Sequence, residues 1–334
     1  MIMGRSSART RGPAALGAVL ALIVVIAAGC TLPGSAAGAD SSSDGYVLRI
    51  GATSVTGTPA GSLGWADKNG ILADKLAPAG VTKIEYAFFQ SGKDVVAALL
   101  SGAVDVAAVG DNPTLTAKGN GAAVTLLALD SINGDTWLIG AKGGPTSIDG
   151  LAGKSITAPQ GTIRDRAARQ LVAEAGLTGK IEIKDVPTPE SIAGLTAGKI
   201  DATVVGGTGA VELANKGFPV IDKTSAHGLG SVGTTIAQSA FVEAHPGFVE
   251  AWQAGVVATN VHIVEHLDDY IAWVAETDAV DPELVRQSID PKTFNTEPLP
   301  KVGLDQLNSA YEFLRDDDAI TQEFDVYAWA GQSA

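Results

Sequence analysis

The chain has 334 residues, of which 46% are hydrophobic and 18% are charged, and its formal net charge is -14. The apolar fraction suffices for a buried core, which excludes wholesale disorder, and phosphates repel a net acidic chain, which argues against nucleic acid as a partner. Cys30 is the single cysteine, so the sequence excludes an internal disulfide and a cysteine-built metal cluster.

The N-terminus has the layout of a secretory signal. The first 29 residues hold three arginines and no acidic residue, and an uncharged, mostly aliphatic run occupies residues 14–28. This run is shorter than the roughly 20 apolar residues that cross a bilayer comfortably, which disfavours the alternative of a transmembrane anchor. We therefore predict a signal peptide over residues 1–29.

The signal ends in Ile26-Ala27-Ala28-Gly29-Cys30, which resembles the lipobox of bacterial lipoproteins. The resemblance implies cleavage before Cys30 and acylation of its thiol, for example by palmitate; the alternative is a buried free thiol. Two or more acyl chains give stable anchoring. We predict lipid attachment to the cell membrane on the extracytoplasmic face of a bacterium, with residues 30–45, rich in Ser, Gly, Ala and Asp, as a flexible lipidated tether.

From Tyr46 onward, short apolar runs alternate with longer amphipathic ones, which predicts an α/β fold with a largely parallel sheet. The pattern predicts strands at 46–52, 84–89 and 104–109, and helices at 63–76 (broken near 69–70), 93–101 and 113–118.

The same pattern recurs about 96 residues later. Residues 95–99 are followed by a glycine, a strand and a second glycine, and residues 191–195 are followed by the same order. This predicts two similar α/β lobes, with generic βαβ resemblance as the alternative. The apolar segments 124–131 and 232–238 are natural crossovers, so we predict lobe 1 at 46–131 plus 235–334 and lobe 2 at 132–234.

The sequence becomes helical after Ser239, and this tail is expected to pack on lobe 1. The predicted helices are 239–244, 246–265, 267–276, 282–288, 304–314 and 320–329. Pro246 and Pro282 are predicted at helix starts, where proline is tolerated.

Ligands of open α/β sheets bind beyond the carboxyl ends of the strands, and two facing lobes can trap a small molecule by hinged closure. The loops at those ends are polar and rich in glycine, which suits a small polar ligand; ordinary helix capping is the alternative for each loop. The predicted ligand-binding residues are Thr53, Ser54, Gln90, Ser91, Asp111, Asn112, Thr162, Arg164, Gly207 and Thr208.

Arg164 is the predicted anion contact. It lies four residues before Ala168 on the apolar face of a helix that starts near Thr162, whereas Arg166 and Arg169 are predicted to point away. A guanidinium at a helix start can bind a carboxylate, a sulfonate or a similar oxyanion. The alternative is an ion pair of Arg164 with an acid of lobe 1, Asp111 or Asp130.

Two motifs suggest other chemistry. His262-Ile263-Val264-Glu265-His266 has the spacing of a zinc peptidase motif, but it lies in the helical tail next to acidic residues, where a solvated helix end is favoured. Gly153-Lys154-Ser155 lacks the first glycine of a phosphate-binding loop and precedes a strand. We predict no metal, no cofactor and no catalytic residue.

The body of the chain resembles the substrate-binding lipoproteins of ABC importers for aliphatic sulfonates, taurine and nitrate. The motifs that carry the resemblance are Phe89-Gln90-Ser91-Gly92, Ser101-Gly102-Ala103-Val104-Asp105, Gly110-Asp111-Asn112-Pro113, Ser147–Lys154 and Phe241-Val242-Glu243-Ala244-His245-Pro246. The family resemblance implies the type II periplasmic-binding-protein fold. The chain departs from many relatives at Gly206-Gly207-Thr208-Gly209, where they have an aromatic residue and an Asp-Pro pair.

The resemblance implies a monomeric solute receptor that binds a small organic, sulfonate-like or inorganic oxyanion and delivers it to an ABC permease with its ATPase subunits. The alternatives are an enzyme of related fold, pyrimidine-forming or hydrolytic, and a receptor for a pyrimidine or thiamine precursor. An enzyme needs a nucleophile or a base in the cleft, and the predicted cleft loops contain no His, Cys or Lys.

Overall fold

The computed structural model describes residues 45–54 and 57–332. The predicted signal peptide, Cys30 and the tether up to residue 44 lie outside the described residues. The described part of the chain forms one compact unit, so the boundaries predicted for the two lobes stay a prediction.

Ten strands form two five-stranded sheets. The first sheet has the order β2-β1-β3-β10-β4 and consists of β1 (Tyr46–Thr53), β2 (Val81–Phe89), β3 (Val106–Gly110), β4 (Val124–Gly134) and β10 (Ser231–Gln238). The second sheet has the order β7-β6-β8-β5-β9 and consists of β5 (Thr136–Gly140), β6 (Ser155–Ala158), β7 (Glu182–Asp185), β8 (Ala202–Gly206) and β9 (Val220–Lys223).

The two sheets have matching topologies. In each, three neighbouring strands run parallel and the fourth runs antiparallel to its neighbours on both sides. The repeated segments occupy equivalent places, since β3 and β8 are both third in order. The internal similarity predicted from the sequence is therefore confirmed.

Thirteen α-helices accompany the sheets in the described residues. They are α1 (Gly61–Lys68), α2 (Ile71–Leu76), α3 (Gly92–Leu100), α4 (Asp111–Gly119), α5 (Ile163–Glu174), α6 (Thr188–Thr196), α7 (Gly207–Asn215), α8 (Ser239–Ala244), α9 (Phe248–Glu265), α10 (Leu267–Asp278), α11 (Pro282–Ser288), α12 (Lys301–Asp316) and α13 (Val326–Trp329). The predicted break between the first two helices is confirmed, because Gly70 adopts the left-handed conformation there, with φ 69°.

Helices cover both faces of the first sheet. One face packs against α3, α4 and α12, and the other packs against α1, α2 and α9, where Phe248 and Trp252 are fully buried. Each such side chain contributes about 1.5–3 kcal/mol of burial energy. We call the first sheet with these helices the first lobe, and the second sheet with α5, α6 and α7 the second lobe.

The helical tail follows the prediction with two differences. Pro246 precedes α9 by two residues, because Gly247 with φ 83° turns the chain into the helix. Residues 320–325 are not helical, and only Val326–Trp329 forms the last helix. α11 also contacts the second lobe, where Asn215 Nδ2 donates to Gln287 Oε1 at 3.0 Å.

The chain crosses twice between the sheets. It leaves the first sheet after Gly134 and enters the second at Thr136, and it returns between Lys223 and Ser231. Asn133, with φ 56°, lies at the first crossing, and its backbone N–H donates to Gln306 Oε1 at 3.0 Å. Gln306 Nε2 donates in turn to Asn133 Oδ1 at 2.7 Å, so α12 fixes the end of β4.

Candidate functional site

The carboxyl ends of β1 and β2 come together in the first lobe. The Ser54 N–H donates to the Phe89 carbonyl at 3.3 Å, which brings the predicted residues Thr53 and Ser54 close to Gln90 and Ser91. The Ser54 hydroxyl donates to the Thr58 carbonyl at 2.8 Å and closes the turn before α1. Gln90 is exposed to solvent.

Two of the predicted ligand contacts serve as helix caps. The Ser91 hydroxyl accepts the Asp94 N–H at 3.2 Å and donates to the Asp94 carboxylate at 2.7 Å. The Thr162 hydroxyl accepts the Asp165 N–H at 3.4 Å and donates to the Pro159 carbonyl at 2.6 Å. The capping alternative is therefore what the structure shows for both side chains.

A buried ion pair joins the two lobes. Arg166 Nη2 of α5 donates to Asp111 Oδ2 of α4 at 2.5 Å, and the two side chains are 2% and 0% exposed. Arg166 Nε donates to Asn112 Oδ1 at 2.9 Å, and its Nη1 donates to Gln170 Oε1 at 3.2 Å. The Val232 N–H donates to the same Asp111 oxygen at 3.2 Å, so the carboxylate of Asp111 is fully engaged within the protein.

The expectation that Arg166 points away from the inward face is wrong. It rested on a single apolar face of the helix, but α5 is buried over a wide arc that includes Arg166, Ala167 and Gln170. The second sheet covers one part of this arc, and α4 of the first lobe covers the part that carries Arg166 and Gln170, which are four residues apart. The alternative that paired Arg164 with Asp111 or Asp130 is therefore wrong, because Asp111 pairs with Arg166 and no ion pair joins Arg164 to Asp130 among the described residues.

Arg164 stays without a partner. Its side chain is largely buried, its Nε is shielded from solvent, and no hydrogen bond or ion pair to it occurs among residues 45–54 and 57–332. Burial lowers the pKa of the Arg164 guanidinium. Among the described residues, Arg164 Nε is thus a buried donor without an acceptor.

The first turn of α5 touches the first lobe next to Arg164. A methyl group added at Gly110, the last residue of β3, would lie 2.9 Å from Ile163 Cδ1. A larger residue at this strand end would require the Ile163 side chain to move. The close approach places the helix start that carries Arg164 at the carboxyl end of the first sheet.

In the second lobe, the predicted residues Gly207 and Thr208 begin α7. Gly207 has φ 60°, and a methyl group added there would meet no atom within 4 Å. Thr208 is half-buried. Gly206 and Gly207 occupy the places that Gly110 and Asp111 occupy in the first lobe, so the second lobe has no carboxylate at this point.

Asp130 is the residue that sequence reasoning considered only as a possible ion-pair partner. It lies near the end of β4, and the Thr235 hydroxyl donates to its Oδ1 at 3.3 Å. Burial raises the pKa of Asp130 from 3.8 to about 7, and the Thr235 hydrogen bond opposes this shift. The sequence signal that could have identified Asp130 is that it is the single charged residue in the predicted strand segment 124–131.

The two histidines of the helical tail contact an indole and each other. Trp65 Nε1 donates to His262 Nδ1 at 3.0 Å, and the rings of His262 and His266 stack with their centroids 4.1 Å apart. Over residues 45–54 and 57–332, no group of three or more His, Cys, Asp or Glu side chains is arranged to hold a metal ion. No helix within these ranges is long and apolar enough to cross a membrane.

Residues 79–260 match the model of a protein family described as NMT1/THI5 like. The match covers more than half of the chain. No protein among the curated ones compared with this chain matches it.

The chain resembles solved structures of sulfonate-binding proteins over most of its length. The periplasmic aliphatic sulphonate binding protein SsuA from Escherichia coli is 17% identical, covers 84% of this chain and 90% of its own, and has a TM-score of 0.70. The alkanesulfonate-binding protein SsuA from Xanthomonas axonopodis pv. citri, bound to MOPS, is 19% identical with coverages of 83% and 94% and a TM-score of 0.67.

An enzyme also has this fold. A mutant of DszB in complex with biphenyl-2-sulfinic acid is 18% identical, with coverages of 86% and 96% and a TM-score of 0.64, and DszB is described as a desulfurization enzyme. At these identities the likeness shows the fold alone, and it confirms the predicted type II periplasmic-binding-protein fold.

Proposed function

The chain belongs to the NMT1/THI5-like family, and we propose that it is an extracytoplasmic solute receptor of an ABC importer that binds a small oxyanion between its two lobes. The observation that carries the proposal is the unpaired guanidinium of Arg164 at the start of α5, where α5 meets the first lobe. A sulfonate or carboxylate there would satisfy its donors. That proteins of the same fold bind aliphatic sulfonates supports this ligand class.

The receptor needs no catalytic step, because it works by binding its solute more tightly in the closed arrangement of the lobes than in an open one. The Arg166–Asp111 pair joins the lobes without a solute. In this proposal the solute adds to that link through Arg164, and the closed complex is what an ABC permease with its ATPase subunits recognises.

The alternative is an enzyme, since DszB, which is described as a desulfurization enzyme, has the same fold. An enzyme of hydrolytic type requires a nucleophile with a base beside it. The described loop residues 53–54, 90–92, 110–113, 160–162 and 206–209 contain no His, Cys or Lys. We therefore favour the receptor.

The test is the affinity of the purified protein for a series of alkanesulfonates and carboxylates, measured by calorimetry. We expect Arg164→Ala to raise the Kd of the bound anion by about tenfold to a hundredfold, as for loss of a charged hydrogen bond. Arg169→Ala is the matched control, because Arg169 lies on the same helix and already pairs with Asp165 at 3.0 Å. An unchanged Kd for Arg164→Ala would remove this arginine from the site.

Membrane attachment through Cys30 is part of the same proposal, and it rests on the lipobox-like sequence. In a bacterial host we expect the wild-type protein in the membrane fraction with acyl chains on an N-terminal Cys30, since the acyl chains supply the anchoring energy. Cys30→Ala should carry no lipid. Mass spectrometry of the N-terminal peptides distinguishes the two, and a wild-type peptide without acyl chains would contradict lipid anchoring and leave solute binding untouched.

A further inference from the structure

The surface of the second lobe has an open hollow of about 350 Å³, which is large enough for a group of several non-hydrogen atoms. Three lysines, Lys154, Lys180 and Lys184, and two acids, Glu182 and Asp201, are among the residues that line it. We call it the lysine hollow.

The lysine hollow lies at the opposite end of the second sheet from the candidate solute site. Lys154 directly precedes β6, Glu182 begins β7 and Asp201 directly precedes β8, and these three strands run parallel. The lining therefore lies at their amino ends, whereas Thr162 and Gly207 follow the carboxyl ends. Strands of four and five residues separate the two ends by about 13–17 Å, so the hollow is not part of the cleft.

The alternation of β7 directs its charged side chains to solvent. Lys180, Glu182 and Lys184 alternate with Ile181 and Ile183, and the two isoleucines pack in the apolar core of the second lobe. Successive residues of an extended segment point to opposite faces. The three charged side chains therefore share the outer face of this edge strand.

Backbone hydrogen bonds hold the first lysine beside the other two. The Gly153 N–H donates to the Lys180 carbonyl at 2.9 Å, and the Glu182 N–H donates to the Lys154 carbonyl at 3.1 Å. Gly153 and Gly179, with φ 76° and 75°, also line the hollow. A methyl group added at either glycine would meet no atom within 4 Å, so an incoming group can approach the backbone there.

Two of the three lysines have weak carboxylate partners. Lys154 Nζ lies 3.4 Å from Asp201 Oδ1, and Lys184 Nζ lies 3.3 Å from Glu182 Oε2. All four side chains are more than a third exposed, and exposed pairs of this kind contribute little free energy. Both ammonium groups can therefore turn toward another anion without a large loss.

Lys180 supplies the uncompensated charge of the hollow. Its Nζ lies 3.5 Å from the Gly176 carbonyl, and no carboxylate pairs with it among residues 45–54 and 57–332. The hollow thus holds three ammonium groups and two carboxylates.

The charge of the chain is divided unequally, which favours an anion at the second lobe. Residues 136–223 carry ten basic and nine acidic side chains, whereas residues 46–135 and 224–334 together carry ten basic and 26 acidic ones. The field of the acidic part repels anions, and the field of residues 136–223 does not. Three of the ten basic side chains of this segment meet in the lysine hollow.

From this geometry we propose that the lysine hollow binds a phosphate group, either of a dissolved phosphate or of a phospholipid headgroup. Lysine binds phosphate as a point charge, and several ammonium groups in one hollow suit a group that carries its negative charge on several oxygens. This site is additional to the proposed solute site, because it lies at the other end of the strands.

The test titrates inorganic phosphate and pyrophosphate into the purified protein at low ionic strength, where exposed charges are least screened, with calorimetry as the measurement. We expect Lys180→Gln to raise the Kd of the tighter probe by about fivefold, since one exposed charge contact is lost. The triple variant Lys154→Gln/Lys180→Gln/Lys184→Gln should show no binding, and Lys180→Arg should stay within about twofold of wild type.

A variant with the opposite sign tests the electrostatic argument. Glu182→Gln removes a carboxylate from the hollow and releases Lys184, so we expect the phosphate probe to bind about twofold to fivefold more tightly. Lys216→Gln is the matched control, because Lys216 is an exposed lysine of α7 that pairs with Glu212 outside the hollow. Circular dichroism verifies that each variant is folded.

A second arm distinguishes the two sources of phosphate. The Cys30→Ala chain, with and without the three lysine substitutions, is mixed with phosphatidylcholine vesicles that contain or lack phosphatidylglycerol. Lysine-dependent binding of the anionic vesicles, without binding of the dissolved probes, supports a lipid headgroup as the ligand. Lysine-dependent binding of the dissolved probes supports a dissolved phosphate.

Three results would overturn the inference: no binding of either dissolved probe or of the anionic vesicles, binding that survives the triple lysine variant, or phosphate binding that Arg164→Ala abolishes. The last result would place the phosphate in the cleft. The proposed function is tested separately, because the triple lysine variant should bind alkanesulfonates as wild type does. Failure of every sulfonate and carboxylate to bind would sink the proposed function and leave the lysine hollow standing.

Discussion

Asp130 of the first lobe and Arg164 of the second lobe are half-buried charged side chains. Neither forms an ion pair with another residue in the part of the chain that the structure describes. Asp111 and Arg166, in contrast, pair with each other. Arg166 also donates to Asn112 and Gln170, and Asp111 also accepts the Val232 N–H. The charges of Asp111 and Arg166 are therefore compensated within the protein, whereas those of Asp130 and Arg164 are not.

The raised pKa of Asp130 makes the stability of the protein depend on pH. The native state holds this proton more tightly than the unfolded chain between pH 3.8 and about 7, so the free energy of unfolding falls as the pH rises through this window. Asp130→Asn lacks the effect. We expect it to be more stable than wild type by up to about 4 kcal/mol at about pH 8 and near wild type at about pH 4.

Guanidinium denaturation of both proteins at the two pH values checks this. Asp305→Asn is a useful control, because hydrogen bonds from Lys301 and Tyr327 lower the pKa of Asp305 and its pH dependence has the opposite sign. Parallel stability curves for wild type and Asp130→Asn would show that burial does not raise this pKa.

The sequence predicts apolar faces better than polar ones. Periodicity identified Arg164 as inward-facing because Ala168 and Leu171 follow it at helical spacing. It missed Arg166, since that side chain is buried by acceptors which stand 54 and 55 residues earlier in the chain. A buried ion pair forms only when distant parts of the chain come together in the fold, so the local sequence pattern does not reveal it.

At the scale of elements, the segment 320–325 before α13 was predicted to be helical, but its contacts with α4 prevent a helix there. The N–H groups of Thr321 and Gln322 donate to the Gly119 carbonyl at the end of α4, at 3.1 Å and 2.8 Å. They thereby satisfy an orphan carbonyl of that helix. The Phe324 N–H donates to the Tyr311 hydroxyl at 3.1 Å, so these donors are not available to a helix over 320–325.

The segment 320–325 packs closely against Gly119 at the end of α4. A methyl group there would lie 2.5 Å from Ile320 Cγ2 and 3.1 Å from Ile320 Cβ. We expect Gly119→Ala to lower the free energy of unfolding by about 1–3 kcal/mol, the usual cost of overpacking. Urea denaturation measures this.

Ile320→Ala removes the opposing methyl groups and provides the matched partner. The double variant Gly119→Ala/Ile320→Ala should cost less than the sum of the two single changes, because the clash is absent. Additive losses would place the strain elsewhere in α4.

Most elements of the fold were predictable because their signals are local. Alternating apolar runs identified the first three strands, and the polar caps Ser91 and Thr162 identified two helix starts. The exceptions depend on distant partners. The 320–325 segment takes its conformation from α4, about 200 residues earlier, and the contact of α11 with α7 links positions 72 residues apart.

For the whole molecule, the pair of Arg166 and Asp111 is the central link between the lobes. It is 2% and 0% exposed, so opening the lobes would expose both charges to water and change their solvation. Under the proposed function, this pair would favour the closed arrangement of the lobes even without a solute.

Breaking the pair from one side should be costly. We expect Arg166→Met to lower the free energy of unfolding by about 3–5 kcal/mol, because Asp111 becomes an uncompensated buried charge. The double variant Arg166→Met/Asp111→Asn should recover part of this loss, as neither charge remains. Chemical denaturation gives both values.

Small-angle scattering of the solute-free single variant should show a larger radius of gyration than wild type, since the lobes lose their link. Glu174→Gln, at an exposed position of the same helix, is the control for changes on α5. A compact Arg166→Met protein of wild-type stability would show that the pair does not hold the lobes together.

The chain of hydrogen bonds from Trp252 through Thr235 to Asp130 has a spectroscopic consequence. The indole N–H donates to the Thr235 hydroxyl, which in turn donates to the Asp130 carboxyl group. Indole fluorescence responds to the electric field along its ring, and Trp252 is 1% exposed, so bulk solvent does not mask that field. Gain or loss of a proton at Asp130 should therefore shift the emission of this buried tryptophan, and the fluorescence of the protein would report the ionisation of a carboxyl group that bulk solvent barely reaches.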